Sequence, residues 1–451
     1  MVNSTVPSEG SAPRVTIVVL GEIGQSPRML NHARALLQLG ALVDLVAYAG
    51  EVTPPWLRDH ASLRLHPLGG GGGARRHGMT KVLFVLYALG RLVAQTVSLA
   101  IILGSKVRRP DAILIQVPPA MPTCAVAALA ARLRGARLVI DWHNYGYTLL
   151  ALRLGRDHVV VRLVRAYERG VARFADDHFC VSRAMSRDLE KSWGLEAPRV
   201  LYDRPRALAA PVSAAERREF FERLEVELPN QMRQALASGG PERPALLVSP
   251  TSWTLDENFE ALAEALPLFD RALTEGTTRS EGEVRPRLLV ILTGLGPRRD
   301  HWKAVFERLS LERVVIRTTW LTSEDFRTLL GLADLGLCFH LSSSGLDLPM
   351  KIVDMMAASL PVCAYDYGPC LGEQVRPGEN GLLFKDGAEL ARHLIALLAH
   401  FPNETIELED LHRGAQWSGP LWTDEWQRVA APAFGLAAPV TGAGEAPVGV
   451  K

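Results

Sequence analysis

A repeated pairing of a short apolar segment with a helix-length segment constrains the fold of this chain more than any other feature. The first pair starts at Arg14 with RVTIVVL, which leads through the turn GEIGQSP into the helical pattern MLNHARALLQLG. Similar predicted strands follow at residues 43–48, 112–116, 138–140 and 179–181. Repeated strand–helix units pack as a parallel sheet with helices on both faces. The first part of the chain is therefore predicted to be a doubly wound α/β domain.

A second set of predicted strands begins at Ala245 and consists of ALLVSPTSW, RLLVILTGLGP, RVVIRTTW, LGLCFHLSS and PVCAYD. The segment between the two sets, residues 206–244, is rich in Pro, Gly and charged residues and is interpreted as the joint. A chain of 451 residues is also too long for one ordinary hydrophobic core. We expect two doubly wound domains, with a ligand cleft between the carboxyl ends of their strands.

Charge and cysteine content exclude several classes of protein. A formal net charge of +1 argues against a nucleic-acid-binding protein, which needs a large basic surplus, so any polyanion site must be local. The five cysteines form no C-x-x-C pair and have no nearby histidine at the spacing of zinc ligands. They are predicted to be reduced thiols in a protein that faces the cytosol.

One segment, Lys81 to Lys106, is long and apolar enough to contact a membrane. Arg91 and Gln95 interrupt it, and on a helix they share one polar stripe with Tyr87 and Ser98. Because an arginine at the bilayer centre costs about 2.5–3.5 kcal/mol, we predict a helix that lies in the membrane interface. Its apolar residues between positions 92 and 103 would then face lipid. The alternative is a buried core helix.

The stretch SSSGLDLPMKIVDM, from Ser342 to Met355, combines a serine-rich loop with a predicted helix that starts near Pro349. Hydroxyls and backbone amides at a helix N-terminus suit an anion, and Lys351 in the first turn adds a positive charge. A buried helix capped by an aspartate would explain the same pattern. The glycine turn TGLGP, with Gly294 and Gly296, is a weak signal by itself.

Taken together, the motifs resemble one family. From Arg14 to about Phe434 the chain is similar to the chitobiosyldiphosphodolichol β-mannosyltransferases, which add the first mannose to the dolichol-linked oligosaccharide. The resemblance is carried by GEIGQSPRM, VPPAMP, VIDWHNYGY, YERGVARFADDHFCVSRAM, LYDRP, RPALLVSPTSWTLDENF, LTGLGPRR, GLDLPMKIVDM and GENGLLF. It implies a GT-B glycosyltransferase of two Rossmann-like domains facing across a cleft, in agreement with the strand–helix pattern.

The resemblance also implies the reaction. A hexosyltransferase of this family transfers mannose from GDP-mannose to GlcNAc2-diphosphate-dolichol and forms a β-1,4 bond in N-glycan precursor assembly. The donor is an α-linked nucleotide sugar, so the configuration inverts and a single displacement is expected. Such a step needs a general base for the acceptor hydroxyl and positive or dipolar groups for the leaving diphosphate.

The donor is expected mainly on the second domain. Related enzymes often place an arginine or lysine where this chain has Thr251 and Ser252, so the diphosphate would depend on Lys351, Arg298 and backbone amides. Many relatives also carry two glutamates eight positions apart. Asp354 fits the second, ribose-side position, whereas Leu346 occupies the first and Asp347 is the nearest acid, so the acid that orients mannose stays open. The predicted donor-binding residues are Thr251, Ser252, Gly294, Gly296, Arg298, Ser344, Gly345, Asp347, Lys351 and Asp354.

The candidates for the general base lie in the first domain and are Glu22, Asp141 and His143. Glu22 follows the first strand, where several inverting GT-B enzymes keep their base, and burial can raise the pKa of such a carboxyl. His143 titrates in the useful range without tuning. Glu22 and His143 rank equally, and Asp141 and His143 could instead hold their loop by hydrogen bonds.

The first domain is expected to bind the acceptor at the membrane. Arg91, Lys106, Arg108 and Arg109 are predicted to contact the acceptor or the lipid surface. Family members carry a membrane-spanning anchor before the first strand, and none precedes Arg14, so the internal segment or a partner is expected to replace it. The predicted location is the cytosolic face of the endoplasmic reticulum membrane, monotopic or peripheral.

The sequence predicts two domains between two disordered tails, which are residues 1–13 and 436–451. Residues 14–205 are predicted to form the acceptor-binding domain, with a membrane-associated segment at 80–109. Residues 206–421 are predicted to form the GDP-mannose-binding domain, and 422–435 a helix that crosses back to the first domain. No tightly bound cofactor and no protein-bound metal are expected, since no D-x-D motif occurs, although Mg²⁺ could stimulate by screening free GDP-mannose. Predicted partners are GDP-mannose, dolichol-linked chitobiose diphosphate, the membrane surface and other dolichol-pathway transferases, but no nucleic acid.

Two alternatives remain open at this point. One is a lipid-linked sugar transferase that uses another nucleotide sugar, because the sequence reveals no guanine pocket. The other is a non-catalytic scaffold in a membrane glycosyltransferase complex. The presence of Glu22, His143, Lys351 and Asp354 together disfavours the scaffold.

Overall fold

The structure is a computed structural model that describes residues 12–48, 50, 54–69, 81–240, 242–275, 287–403 and 405–436, with the side chains of 81–86 left undescribed. Apart from residues 12, 13 and 436, the two predicted tails lie outside the described residues. The first part of the membrane-associated segment, residue 80 and the side chains of 81–86, does so as well.

The first domain is built on a parallel sheet with the strand order β3-β2-β1-β4-β5-β6-β7. Its strands are β1 (Arg14–Glu22), β2 (Leu42–Tyr48), β3 (Leu63–Pro67), β4 (Ala112–Val117), β5 (Arg137–Trp142), β6 (Asp177–Cys180) and β7 (Arg199–Val200). The helices are α1 (Pro27–Gln38), α2 (Trp56–Asp59), α3 (Lys81–Ile101), α4 (Thr123–Arg134), α5 (Gly146–Leu154), α6 (Val159–Ala172) and α7 (Arg183–Lys191). A π-helical turn, Ile102–Lys106, extends α3.

The second domain repeats this architecture with the strand order β10-β9-β8-β11-β12-β13. The strands are β8 (Ala245–Pro250), β9 (Leu288–Thr293), β10 (Val314–Thr319), β11 (Leu335–Cys338), β12 (Val362–Tyr365) and β13 (Gly381–Phe384). The helices are α8 (Ala214–Arg223), α9 (Asn230–Ser238), α10 (Glu260–Glu275), α11 (Arg299–Glu307), α12 (Ser323–Leu332), α13 (Met350–Ala357), α14 (Gly387–Leu398) and α15 (Ile406–Ala415). Both sheets are parallel throughout, which confirms the doubly wound α/β prediction.

The segment predicted to be the joint contains two helices, α8 and α9. Phe220, Phe221, Met232 and Leu236 are buried in one core with Leu246 of β8. The two helices therefore pack as part of the second domain.

A last helix, α16 (Trp422–Val429), returns to the first domain. Trp422 and Trp426 are buried in a core shared with β1, β2 and α1. The Trp426 Nε1 donates to His32 Nδ1 at 2.9 Å, and the Trp422 Nε1 donates to the Asn31 carbonyl. Helix α16 is thereby part of the first domain's interior.

Helix α3 lies on the outside of the first domain. Its polar stripe faces protein, because Gln95 Nε2 donates to the Tyr48 hydroxyl at 2.7 Å and Ser98 accepts from the Gly69 amide. Leu99, Ile102 and Leu103 are buried, so the prediction that residues 92–103 face lipid fails for these three. Within the described residues, the stretch Tyr87–Lys106 is the one helical segment long and apolar enough to cross a bilayer.

Candidate active site

The two domains meet where the loop after β5 contacts the loop after β11. Asn144 Nδ2 donates to Ser343 Oγ at 3.2 Å and to Asp347 Oδ1 at 3.0 Å. The Thr148 hydroxyl lies 2.8 Å from the same Ser343 oxygen. These contacts place the DWHNYGY and SSSGLD motifs side by side in the cleft, at the carboxyl ends of both sheets, where α/β folds bind ligands.

Asp347 is the centre of the second-domain loop. Its carboxylate accepts from His340 Nε2 at 2.9 Å, from Asn144, and from the hydroxyls of Ser342 and Ser344. Burial alone would raise the pKa of Asp347, but the hydrogen bonds and charge of His340 and the bond from Ser342 lower it below its usual value. Asp347 is therefore an ionised group that shapes the loop, with most of its lone pairs already engaged.

The serine loop has two further predicted donor-binding residues, Ser344 and Gly345. Ser344 Oγ accepts from the Leu346 amide as well as bonding Asp347. The Gly345 amide donates to Ser342 Oγ at 2.8 Å, and its φ of +73° lies in the left-handed region. The loop is held by internal bonds, so the predicted capture of phosphate by the Gly345 amide requires exchange of its present acceptor.

Lys351 forms a salt bridge with Glu257, a buried carboxylate that the sequence reasoning did not identify. Glu257 also accepts from Thr251 Oγ1 at 2.7 Å and from the amides of Ser252 and Thr254. The pair joins the loop after β8 to the first turn of α13. Lys351 thus enters the cleft as a cation that is already paired, rather than as an isolated charge.

The two glycines of the TGLGP turn allow two loops to pack backbone against backbone. A Cβ atom on Gly294 would lie 2.0 Å from the Thr251 carbonyl oxygen, and one on Gly296 would lie 1.8 Å from that of Ser252. The Gly294 carbonyl also accepts from Trp253 Nε1 at 3.0 Å. These glycines therefore shape the Thr251–Ser252 loop by close approach. Arg298 follows them, half-buried, with its guanidinium 5.4 Å from the Trp302 ring centre.

His143 lies in the cleft beside Asp203 of the LYDRP motif. Its Nε2 atom is 3.8 Å from Asp203 Oδ2, and both atoms are buried without a hydrogen-bond partner in the described part of the chain. About a quarter of the His143 side chain is exposed, at 26%. Asp203 Oδ1 is anchored separately by Arg28 at 2.8 Å. A fixed carboxylate facing one nitrogen of a histidine favours a positive charge on the imidazole, which suits proton exchange at the other nitrogen.

Asp141 lies behind this pair rather than in the open cleft. It is fully buried and accepts two bonds from Arg28, at 2.6 and 2.7 Å, and one from His32 at 3.1 Å. Burial would raise the pKa of Asp141, but the charge and hydrogen bonds of Arg28 outweigh this and hold it well below its usual value. Asp141 thus supports Arg28, and through it Asp203, by side-chain bonds, rather than holding its own loop by the backbone bonds considered from the sequence.

Glu22 occupies the end of β1 and is exposed. Gln25 Nε2 donates to its Oε2 at 3.0 Å. Strand β4 separates β1 from β5 in the sheet, so the Glu22 and His143 loops begin about 10 Å apart along the same edge. Both candidate bases therefore lie at the same edge of the sheet, and His143 is next in sequence to Asn144, which joins the two domains.

Asp354 lies in α13, and part of its side chain is exposed. Neighbouring protein atoms desolvate its carboxyl group and raise its pKa to about 6, with the charge of Arg206 opposing the shift and that of Asp203 adding to it. Its ionisation thus changes within the physiological range.

The predicted membrane or acceptor residues do not join this cluster. Arg91 is half-buried on α3, whereas Lys106, Arg108 and Arg109 are exposed at the end of that helix. The Arg109 Nε donates to the Arg134 carbonyl at 3.0 Å. They form a basic end to α3 on the outer surface of the first domain. In the described part of the chain, no three His, Cys, Asp or Glu side chains come together as a metal site would require.

The residues that sequence reasoning missed share one property. Each of them forms a hydrogen bond or an ion pair with a residue that a motif had identified. They are Glu257, Asp203, Arg28, Asn144 and His340. Four of them lie inside quoted motifs, but their partners lie far away in sequence. The one local pattern that could have identified these residues is a polar side chain within an otherwise apolar motif.

Family profiles match both domains. Residues 24–205 match the glycosyl transferase 4-like domain, and residues 255–400 match glycosyl transferases group 1. Among solved structures, the chain superposes on Anabaena HepE in complex with UDP with a TM-score of 0.56 at 16% identity, covering 94% of this chain and 97% of that one. WaaG, a glycosyltransferase of lipopolysaccharide biosynthesis, gives a TM-score of 0.57 at 16% identity, over 95% and 100% of the two chains. These similarities confirm the GT-B glycosyltransferase fold.

Sequence relatives extend over nearly the whole chain. The UDP-glycosyltransferase TURAN of Arabidopsis thaliana is 40% identical, covering 94% of this chain and 97% of its own. The chitobiosyldiphosphodolichol β-mannosyltransferase of Mus musculus is 37% identical over 94% and 89% of the two chains. The protein of the same name from Yarrowia lipolytica is 34% identical over 94% and 86%.

Proposed function

Because the chain belongs to the chitobiosyldiphosphodolichol β-mannosyltransferase family, we propose that it transfers mannose from GDP-mannose to GlcNAc2-diphosphate-dolichol. The bond formed is β-1,4, and the configuration at the mannose carbon inverts. The observation that carries the proposal is identity of 34–37% with enzymes of that name over 94% of this chain. The joined DWHNYGY and SSSGLD loops supply a cleft with the groups that such a transfer needs.

In this proposal the donor lies on the second domain. Lys351, Arg298 and the loop at Ser252 face the diphosphate, and the anionic donor competes with Glu257 for Lys351. Asp354 accepts hydrogen bonds from the ribose hydroxyls. Asp347 orients the sugar through the loop that it organises. Transfer requires no tightly bound cofactor, and Mg²⁺ acts only by screening free GDP-mannose.

The acceptor approaches from the first domain, and His143 is the proposed general base. Its Nε2 faces Asp203, so Nδ1 is the atom that takes the acceptor hydroxyl proton as the bond to mannose forms. The GDP diphosphate leaves with the electron pair of the broken bond, stabilised by Lys351 and Arg298. Glu22 is the second candidate for the base, supported by its position at the end of β1.

We propose that the enzyme works on the cytosolic face of the endoplasmic reticulum membrane. Helix α3 lies in the interface with Leu89, Val93, Val97 and Ile101 outward, each half or more exposed. The basic group Lys106, Arg108 and Arg109 lies at its end, where lipid phosphates are found. Other dolichol-pathway transferases are proposed as neighbours on this membrane.

A second candidate donor has one specific observation in its favour. The relative at 40% identity is named a UDP-glycosyltransferase, which raises the possibility of a uridine nucleotide sugar. The two donors differ in the base that the second domain must recognise. Direct competition between GDP-mannose and UDP-sugars for the same protein therefore separates them.

The test is a transfer assay with purified protein and a synthetic phytanyl-diphosphate chitobiose acceptor. Radiolabelled GDP-mannose is compared with UDP-glucose and UDP-N-acetylglucosamine, and the anomeric configuration of the product is read by NMR. The proposal predicts a β-mannosylated product from GDP-mannose alone. Transfer only from a UDP-sugar would replace the donor assignment, and GDP-mannose binding without any transfer would favour the scaffold.

Variants test the assignment of groups within the same assay. Lys351→Ala is expected to lose turnover, because the leaving diphosphate loses one of its two proposed side-chain cations. Arg327→Ala, an exposed arginine of α12 outside the cleft, is the matched control and should retain it. His143→Ala and Glu22→Gln are compared directly, and the variant that retains turnover excludes its residue as the base.

A further inference from the structure

Positive charge is concentrated in one part of the first domain. Residues 81–175 contain fourteen Lys or Arg and four Asp or Glu, a formal charge of +10 in a chain whose total is +1. Two of the four acids, Asp141 and Glu168, are buried. The surface of this part of the first domain is therefore strongly positive, although the whole protein is nearly neutral.

Four of these positive charges form a stripe along α6. Arg162, Arg165, Arg169 and Arg173 are spaced by three, four and four residues, so they lie on one side of the helix. All four are exposed, and none forms an ion pair in the described part of the chain. Exposed arginines on a folded surface usually have carboxylates nearby, and four unpaired ones in a row leave a strong positive potential.

An apolar stripe runs beside the arginines. On α6 and just beyond it, Val159 is 54% exposed, Leu163 64% and Phe174 71%, and on the neighbouring α4 Leu129 is 59% exposed and Leu133 75%. The Ala125 amide of α4 donates to the Tyr167 hydroxyl of α6, so the two helices are in contact. Soluble monomers seldom expose so many large apolar side chains on adjacent helices. We call this surface, α4 and α6 with their outward apolar residues and the arginine stripe, the α4–α6 face.

The α4–α6 face continues the layer of helices that contains α3. Buried residues of α3, α4 and α6 pack into the same core beneath one side of the first sheet. Their outward stripes therefore belong to a single side of the domain. Leu152 and Leu154 at the end of α5 add exposed apolar surface to it.

We propose that the α4–α6 face docks on an anionic lipid bilayer, with its apolar side chains in the interface and the four arginines on lipid phosphates. A protein partner would need an acidic surface complementary to the stripe, whereas a bilayer supplies negative charge beside an apolar interior as a matter of composition. Arginines can extend to the phosphates while their stems stay in apolar surroundings. A bilayer therefore matches both the apolar stripe and the arginine stripe.

This contact also orients the cleft. The Arg165 guanidinium lies 5.5 Å from the ring centre of Tyr147, in the first turn of α5, four residues after His143. The α4–α6 face and the His143 loop are therefore joined through a single short helix. A domain seated on this face presents the cleft close to the lipid surface, where a lipid-linked diphosphate would be held.

The experiment measures vesicle binding of the full chain by co-sedimentation, without any sugar substrate. Vesicles of phosphatidylcholine alone are compared with vesicles that also contain phosphatidylserine, at low and high salt. The wild type is expected to prefer the anionic vesicles. The triple variant Arg162→Gln/Arg169→Gln/Arg173→Gln should lose that preference by about tenfold or more, since each basic residue near an anionic surface adds to the attraction.

Further variants distinguish vesicle binding by the α4–α6 face from binding through overall positive charge or through α3. The variant Arg218→Gln/Arg271→Gln/Arg392→Gln removes three exposed arginines of the second domain and should bind as the wild type does. The variant Leu133→Ser/Leu163→Ser/Phe174→Ser should bind both kinds of vesicle more weakly. Circular dichroism confirms that each variant is folded.

Two results would overturn the proposal. Equal binding by the two arginine variants would show that the stripe does not contact lipid. A wild type that binds neutral and anionic vesicles alike would show that α3 alone attaches the protein and would leave the α4–α6 face to a protein partner. Neither result depends on whether the chain transfers mannose.

Discussion

The two carboxylate oxygens of Asp203 face different residues. Oδ1 accepts from Arg28, which is fully buried and also holds Asp141, so the carboxylate has a fixed position. Oδ2 faces His143 Nε2 across 3.8 Å. A residue with this geometry acts on the acceptor only through His143. We therefore regard it as a positioning residue.

Asp203→Asn is expected to lower kcat by about 10- to 100-fold, less than the roughly 100- to 10,000-fold loss when a general base is removed. The amide can still accept from Arg28 but no longer compensates a positive charge on His143. KM for the donor should stay unchanged, because the proposed donor site is on the other domain. The measurement is steady-state kinetics in the transfer assay.

The control for this prediction is a double variant. In a His143→Ala background, Asp203→Asn should cause little further loss, since its effect acts through the imidazole. An equal loss in both backgrounds would mean that Asp203 acts on the substrate or the fold by itself.

Asp354 should make donor binding depend on pH. Its pKa is raised to about 6, so it is ionised at neutral pH and becomes protonated as the pH falls through that value. Only the ionised carboxylate accepts two strong hydrogen bonds from ribose hydroxyls. Affinity for GDP-mannose should thus fall between pH 7 and pH 5, measured by calorimetry. Asp354→Asn should bind more weakly and show a flat profile, whereas an equally steep profile would assign the titration to another group.

At the scale of elements, sequence patterns predicted the central strands well and the edge strands poorly. Strands β3, β7 and β13, all at sheet edges, were not predicted. An edge strand pairs on one side only and packs against fewer neighbours, so it does not need a continuous apolar run. LRLHP alternates in polarity and β7 is only two residues long, so neither carries the signal on which the prediction relied.

The site was predictable where its residues are contiguous and unpredictable where they are not. The serine loop and DWHNYGY are continuous segments, and the sequence placed both at strand ends. The Lys351–Glu257 pair joins residues 94 positions apart, and Arg28 reaches Asp141 across 113. Such pairs arise from sheet order and helix placement, which a single sequence does not encode locally.

The contact between α5 and α6 contains a buried carboxyl group that lowers the stability of the folded protein at neutral pH. Glu168 lies against the backbone at Gly146, and burial raises its pKa from 4.5 to about 7, opposed by the amides of Tyr147 and Gly146. Between these pH values the unfolded chain releases a proton that the folded protein keeps. Stability therefore falls as the pH rises from about 4.5 to 7.

Glu168→Gln should remove this cost and stabilise the protein at pH 8 by up to about 3 kcal/mol, with no gain at pH 4. Thermal unfolding at the two pH values measures the effect. Glu190→Gln, at an exposed position of α7, is the control and should leave both midpoints unchanged. A destabilised Glu168→Gln variant at pH 8 would show that the ionised carboxylate is needed by the α5 N-terminus.

At the scale of the whole molecule, a second contact between the domains lies at Glu373. Its carboxylate accepts from the Arg183 and Ala184 amides, at 2.8 and 3.0 Å, and from the Tyr202 hydroxyl at 2.6 Å. The amides belong to the first turn of α7, where the helix dipole favours a negative charge. The second domain thus caps a helix of the first and holds the cleft at a fixed width.

Glu373→Ala is expected to shift the protein toward an open arrangement of the domains. The three bonds are lost together, so the radius of gyration in solution scattering should rise and kcat should fall about tenfold, by analogy with other closing motions. Donor affinity should change little, because the proposed donor site is within the second domain. Glu379→Ala, an exposed acid near Glu373 that pairs locally with Arg376, is the control.

An unchanged radius of gyration in Glu373→Ala would show that the contacts of Asn144 with Ser343 and Asp347 are enough to hold the domains together. Activity lost without opening would place Glu373 in the chemistry instead. The scattering and kinetic measurements together separate these cases.

The return of α16 to the first domain has a consequence for the order of events during synthesis. Trp422, Trp426 and Phe434 fill the core between β1, β2 and α1, and Trp426 bonds the histidine that supports Asp141. A ribosome has translated the whole of the second domain before these residues emerge. Through that interval the nascent first domain exposes the apolar surface that α16 later covers, which is the kind of surface that chaperones bind, and its core is completed only after the second domain has been made.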